Sequence, residues 1–171
     1  IQSARQIETL EIIVVDDASD PPRSRTLEDL PSGVTLLKLD RNVGVGAARQ
    51  AGGKIAVGEW IAYLDADDTW HPDKLERQIA HVVAEPDLGA THCGTSVVRN
   101  GQEIAQYIDK PQRLTPEVIL RGGQLLASTL MIRRDVLDRV GGWTADRYVL
   151  EDCDLAIRLV LAGVEIGFLP E

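Results

Sequence analysis

Trp60-Ile-Ala-Tyr-Leu-Asp-Ala-Asp-Asp68 is a short apolar run that stops on three carboxylates within four residues. An unbroken apolar run of this length, bounded by polar residues, fits a strand buried on both faces. A helix is predicted over 72–84, because Leu75, Ile79, Val82 and Val83 recur at helical spacing and Pro72 suits a first turn. The same pattern stands upstream. Glu11-Ile-Ile-Val-Val15 is apolar and β-branched and ends in Asp16-Asp17; residues 34–39 form a second candidate strand, ending in Asp40-Arg41-Asn42. The Ala- and Gly-rich stretch 44–56 reads as a helix, and residues 2–10 as the end of an amphipathic one. Alternating strands and helices predict right-handed crossovers and a mostly parallel sheet with helices on both faces.

The second half changes character. Residues 90–98 and 103–108 flank Asn100-Gly101, a hairpin signal. A short helix is expected at 115–121, a strand at 127–132, and a helix at 134–140 stopped by Gly141-Gly142. The last helix is expected at 151–162 and a final strand at 164–169. The expected architecture is one α/β domain over 1–171, with a Rossmann-like half at 1–89 and a second half at 90–171 in which residues 90–132 build a smaller mixed or antiparallel part.

Composition bounds the partners. The chain has 171 residues, is 44% hydrophobic and carries a formal charge of -9. That balance excludes the overall basic footprint of a nucleic-acid binder. Cys93 and Cys153 stand far apart with no Cys/His cluster, which argues against zinc and for reduced thiols in a cytoplasmic setting, the inner face of a membrane included. No apolar stretch approaches the roughly 18 residues of a membrane span. The first residue is Ile1 and the last, Glu171, follows an apolar run. Both ends read as cut from something longer, so membrane association is expected only through segments outside this sequence.

The acidic strand ends carry the chemistry. In open α/β sheets, ligands bind at the carboxyl ends of strands. Carboxylates there can hold a hard divalent cation through oxygen, or accept hydrogen bonds from a base or ribose. Their bland alternative is to cap the next turn or helix. Asp65, Asp67 and Asp68 together repel one another unless a cation offsets them. Asp73 reads as an ordinary acid at a helix start.

Four segments, in order, resemble the family 2 glycosyltransferases. Glu11-Ile-Ile-Val-Val-Asp-Asp-Ala-Ser-Asp20 resembles that family's second strand and loop. Arg41-Asn-Val-Gly-Val-Gly-Ala-Ala-Arg-Gln-Ala-Gly52 is similar to its loop and helix after the third strand. Tyr63-Leu-Asp-Ala-Asp-Asp-Thr-Trp-His-Pro-Asp-Lys-Leu-Glu-Arg-Gln78 resembles its metal-binding DxD segment. Gly141-Gly-Trp143 and Glu151-Asp-Cys-Asp-Leu-Ala-Ile-Arg-Leu159 resemble its acceptor-side turn and catalytic helix. The resemblance implies a GT-A fold and transfer of a sugar, with inversion, from a nucleoside diphosphate sugar, UDP-linked in the first instance. The acceptor would be a hydroxyl on a glycan, a lipid-linked sugar or another molecule. It further implies that Asp16 or Asp17, with Asp17 preferred, meets the base. Asp65 would face ribose and diphosphate, and Asp67, with Asp65, would hold Mn²⁺ or Mg²⁺. Asp152 would be the general base, with Asp154 the second choice. Arg49 is a candidate for phosphate or base, and Trp143 and Glu151 for the acceptor. The family's first strand is missing from the sequence, as is the segment after its last strand.

Two rival readings remain open on the residues. Asp65-Ala-Asp-Asp-Thr69 also fits the DxDxT nucleophile motif of haloacid-dehalogenase-like phosphatases, although there the nucleophile strand comes first in the domain. A non-catalytic sugar-nucleotide or glycan-binding domain would carry the same acids. Gly44-Val-Gly46 lacks the third glycine of a dinucleotide fingerprint, where Arg49 stands.

Overall fold

The computed structural model describes residues 9–19, 30–121, 125–145 and 150–170. Its strands are β1 (Ile12–Asp16), β2 (Val34–Lys38), β3 (Trp60–Ala62), β4 (Leu88–Cys93), β5 (Thr95–Arg99), β6 (Gln102–Tyr107), β7 (Met131–Arg133) and β8 (Glu165–Leu169). Its helices are α1 (Val45–Ile55), α2 (Lys74–Ala84), α3 (Pro116–Leu120), α4 (Arg134–Arg139) and α5 (Glu151–Leu161). The expected helix at 2–10 falls almost wholly outside the described residues.

β1 and β2 pair in parallel. A second sheet has the order β3-β7-β4-β8. Within it β4 and β8 run parallel, and β7 runs antiparallel to both of its neighbours. The parallel β1–β2 pair lies in the half where strand–helix alternation predicts parallel strands, whereas β3 of that half pairs antiparallel with β7. β7 reverses because it is fed by a turn at the carboxyl end of β3, where the Ala62 partner is Met131. β4 is buried along its whole length, as a strand flanked on both sides must be. Leu130, Ile132, Leu155, Leu159 and Ile166 centre the main core, and Val82, Leu88 and Met131 form a second cluster with α2.

Two sequence expectations change in detail. The predicted strand over 90–98 divides at Gly94, whose N–H bonds to the Leu169 carbonyl at 3.1 Å. Before it the chain belongs to the sheet; after it β5 and β6 form a separate, largely exposed hairpin. Its turn has Asn100 at φ 52° and Gly101 at φ 76°, the two positive values that a two-residue hairpin turn favours. The predicted strand over 127–132 begins instead as a 3₁₀ turn at Ala127–Thr129. The Thr129 hydroxyl donates to the Leu126 carbonyl at 2.8 Å. Such local side-chain bonding competes with strand pairing.

His92 lies in β4, fully buried, with its ring 5.0 Å from that of Phe168. Neither ring nitrogen makes a hydrogen bond among the described residues. Burial pushes its pKa down to about 3 from 6.5. The unfolded chain therefore takes up a proton near pH 6.5 that the folded chain refuses until about pH 3, and stability falls as pH drops through that window. His92→Leu should lose about 2 kcal/mol less stability than the wild type between pH 7 and pH 5 in urea denaturation.

Candidate functional site

α1 assembles the site. It has no side-chain cap of its own; Gly44 stands at its N-cap with φ 88°. The amides just before it are taken by Asp17, whose carboxylate accepts from Val43 N at 2.8 Å and from Gly44 N at 2.9 Å. The loop after β1 is thereby fastened to the start of α1. Asp16 is 6% exposed and accepts from Ser19 N at 2.9 Å. Hydrogen bonding from Ser19 holds its carboxyl below the usual range. Both acids fulfil the capping alternative. Each carboxylate oxygen still has a second lone pair for a ligand donor.

The next turn of α1 meets the far end of the chain. A Cβ at Gly46 would come within 2.6 Å of the Thr144 carbonyl oxygen. Gln50 Oε1 accepts from Trp143 N at 2.7 Å. Gly142, at φ 70°, lies so close to Gln50 that a Cβ would fall 2.0 Å from its amide oxygen. Thus the Gly141-Gly142-Trp143 turn is seated on α1, and only glycine fits at 142.

Between these contacts lies Arg49. Its Nη2 donates to both Asp65 oxygens, at 2.7 and 2.8 Å, and its Nη1 donates to Glu151 Oε1 at 2.8 Å. Its guanidinium carbon sits 4.8 Å from the centroid of the Trp143 ring. The Arg49 side chain is 10% exposed, against 34% for Asp65 and 14% for Glu151. The sequence reading offered Arg49 to phosphate or base; its guanidinium is instead engaged by two carboxylates and an indole.

Trp143 corrects a second expectation. It is 2% exposed, with its ring edge-on to Tyr63 at 5.1 Å and 81°. Burial first of all pushes the Tyr63 hydroxyl up to about 12. An indole enclosed in this way packs the base of the site and offers no face to an acceptor sugar. Glu151, also expected on the acceptor side, turns its carboxylate inward to Arg49.

The acids of α5 now separate. Asp154 is held by Arg158 through Nε at 2.9 Å and Nη2 at 2.8 Å, and it also accepts from the Thr144 hydroxyl. Arg158 Nη1 donates in turn to the Val140 carbonyl at 2.7 Å. Asp154 thus ties α5 to the 140–144 turn, which weakens its standing as the second candidate base. Asp152 accepts from Cys153 N at 2.7 Å. It is the one first-turn acid of α5 without an arginine partner among the described residues. Leu150 caps α5 in the left-handed region, φ 65° and ψ 25°; residues 146–149 before it fall outside the described residues.

On the donor side, the Asp65 carbonyl accepts from Asp68 N at 3.1 Å. Asp67 and Asp68 stand exposed. His71, beyond the acidic loop, pairs with Asp73 in the turn before α2, and Arg77 donates to the same carboxylate at 2.7 Å. No group of three or more His, Cys, Asp or Glu residues suited to a metal occurs among the described residues. An all-protein cage does not fit. A hard cation held by one or two carboxylates and completed by phosphate oxygens and water does fit, with Asp67 open to it and Asp65 already shared with Arg49.

Two open hollows, one lined by Glu85, Pro86, Arg113 and Glu165 and the other by Glu59, Arg133 and Asp138, lie toward the amino ends of β4, β8 and β3. The linked acids lie at the opposite edge, where ligands of such sheets bind. Chemistry and topology outweigh the depth of a hollow here.

This arrangement defines a GT-A-type α/β fold. Residues 1–141 match the model of Glycosyl transferase family 2, and the chain belongs to that family. It is 47% identical over 113 residues to the succinoglycan biosynthesis protein ExoO of Rhizobium meliloti, covering 66% of this chain and 32% of that protein. It is 28% identical over 127 residues to the UDP-Glc:alpha-D-GlcNAc-diphosphoundecaprenol beta-1,3-glucosyltransferase WfgD of Escherichia coli, covering 74% of this chain and 49% of WfgD. Among solved structures it resembles S. aureus TarS 1–349 in complex with UDP, with TM-score 0.75, 22% identity and coverage of 94% and 48%. It also resembles the mannosyltransferase PcManGT of Pyrobaculum calidifontis in complex with GDP-Man and Mn²⁺, with TM-score 0.70, 25% identity and coverage of 95% and 46%. The chain spans a third to a half of the length of these proteins. Family membership sets the phosphatase reading aside, in keeping with β1 and β2 preceding the acidic loop.

Arg49→Lys should lower stability by about 2 kcal/mol in urea denaturation, because an ammonium cannot grip two carboxylates with one planar fork. Arg49→Ala should cost more.

Proposed function

We propose that this chain is the catalytic part of an inverting glycosyltransferase that moves a sugar from a nucleoside diphosphate sugar to an acceptor hydroxyl. Residues 1–89 would bind the nucleotide sugar and 90–171 would form the acceptor side. The observation that carries this is the Arg49 fork between Asp65 and Glu151. It brings the donor-side loop and the first turn of α5 within the reach of one side chain.

In this reading Asp17, with Asp16 beside it, accepts from the base, and Asp65 faces ribose and diphosphate. Asp67 would hold a divalent cation, Mn²⁺ or Mg²⁺, which when bound neutralises charge on the departing diphosphate. Asp152 takes the acceptor hydroxyl proton. The acceptor oxygen attacks the anomeric carbon on the face opposite the diphosphate. The bond to the diphosphate oxygen breaks with its electron pair, and configuration inverts.

A UDP-sugar is the first donor to test, since WfgD is named for UDP-Glc and TarS is seen with UDP. Polysaccharide or cell-wall assembly is the setting in keeping with ExoO and with the putative teichuronic acid glycosyltransferase TuaG of Bacillus subtilis. A glycan or lipid-linked acceptor is in keeping with WfgD, which is named for a diphosphoundecaprenol-linked sugar. The nucleotide donor and free thiols fit action on the cytoplasmic side; no helix among the described residues is long and apolar enough to cross a membrane.

Asp67→Ala should abolish metal-dependent donor binding by calorimetry, and retained binding at saturating Mn²⁺ would remove it as a ligand. Asp152→Asn should leave donor affinity near normal while cutting transfer by about 10²–10⁴-fold. Binding by the wild type without turnover would instead mark a non-catalytic domain.

A further inference from the structure

Asp67 poses a positional problem. It is exposed and makes no hydrogen bond or ion pair among the described residues, and Ala66, Asp68 and Thr69 around it are exposed too. Its placement has to come from the ends of the loop. Both ends are fastened to one residue. Asp65 N donates to Ser128 Oγ at 3.0 Å, and Trp70 Nε1 donates to the Ser128 carbonyl at 2.7 Å. The next residue extends the pattern, for Gln78 Nε2 of α2 donates to the Thr129 carbonyl at 2.9 Å. Three donors spread over 65–78 thus meet three acceptors on two consecutive residues.

The receiving turn is buried and closed by its own hydrogen bonds. Ser128 is 8% exposed and Thr129 2%. Thr129 N and Leu130 N close the 3₁₀ turn on the Leu126 and Ala127 carbonyls, each at 3.0 Å. The turn leads directly into β7, the strand between β3 and β4. The Trp70 ring is supported by the Lys74 ammonium, 4.1 Å from its centroid, and Lys74 donates to Gln78 Oε1 at 2.7 Å.

We propose that the Ala127–Thr129 turn is a template that sets the shape of the 65–70 loop, with Ser128 and Trp70 as positioning residues for Asp67. Its kinetic consequence rests on the transfer reading above; its structural consequence does not.

The test uses Ser128→Ala, which removes the side-chain bond to Asp65 N, Trp70→Phe, which removes the indole bond and keeps a smaller aromatic ring beside Lys74, and Ser128→Thr, which keeps a hydroxyl. In Ser128→Ala the Asp65 amide should exchange with solvent faster by about ten-fold, the size of one lost hydrogen bond. The half-saturating Mn²⁺ concentration and donor KM should each rise by about ten-fold in Ser128→Ala and in Trp70→Phe, with kcat within about two-fold. Ser128→Thr should restore all three quantities. Unchanged Asp65 exchange in Ser128→Ala overturns the template, as does unchanged metal dependence in both loss variants. If Ser128→Ala fails to fold, Trp70→Phe carries the kinetic test. If the wild type transfers no sugar from any nucleoside diphosphate sugar, the proposed function falls, and Asp65 exchange alone decides the template.

Discussion

A nearly buried guanidinium between two carboxylates is the constraint on which the site depends. The chain is acidic overall, with a formal charge of -9. Two dense groups of acid, at 65–68 and in the first turn of α5, are drawn to the same edge of the sheet. Arg49 makes their approach tolerable. A planar guanidinium can serve two carboxylates at once, whereas an ammonium acts as a single point charge. Removing one member of such a buried set leaves uncompensated charge, which is why these contacts are costly to break. The seating of the Gly141–Trp143 turn on Gln50, one residue along α1, belongs to the same assembly.

That assembly also divides labour among the acids. Glu151 and Asp154 are committed to Arg49 and Arg158, and so shape the protein. Asp152 and Asp67 lack arginine partners among the described residues and stand at the two sides of the Arg49 bridge. Reading function from acid content alone would weigh all of them equally. The partners, more than the residue types, separate the acids committed to the scaffold from those available for the proposed chemistry.

Much of this was legible in the sequence. Apolar runs ending in Asp16-Asp17 and in Asp65-Ala-Asp-Asp68 marked β1, β3 and the acids at their carboxyl ends. Asn100-Gly101 gave the hairpin, because that pair tolerates the backbone a tight turn needs. The burial of Trp143 was not legible: whether an indole after two glycines points out or in depends on Tyr63 and Arg49, which lie far away in sequence. Ser128 and Trp70 were hidden for the same reason. Each reads as ordinary polar or aromatic packing until folding sets 65–70 against 127–129. The place of β7 between β3 and β4 escaped because a three-residue strand is too short for its sequence to assign partners.

The β5–β6 ribbon carries a last implication. It pairs with no other strand among the described residues, and most of its length faces solvent. Its attachment at Gly94 lies beside Leu169, at the carboxyl edge of the same sheet that presents the acidic loop. The molecule thus combines a sheet-centred chassis with a solvent-facing appendage that is joined to it beside Gly94.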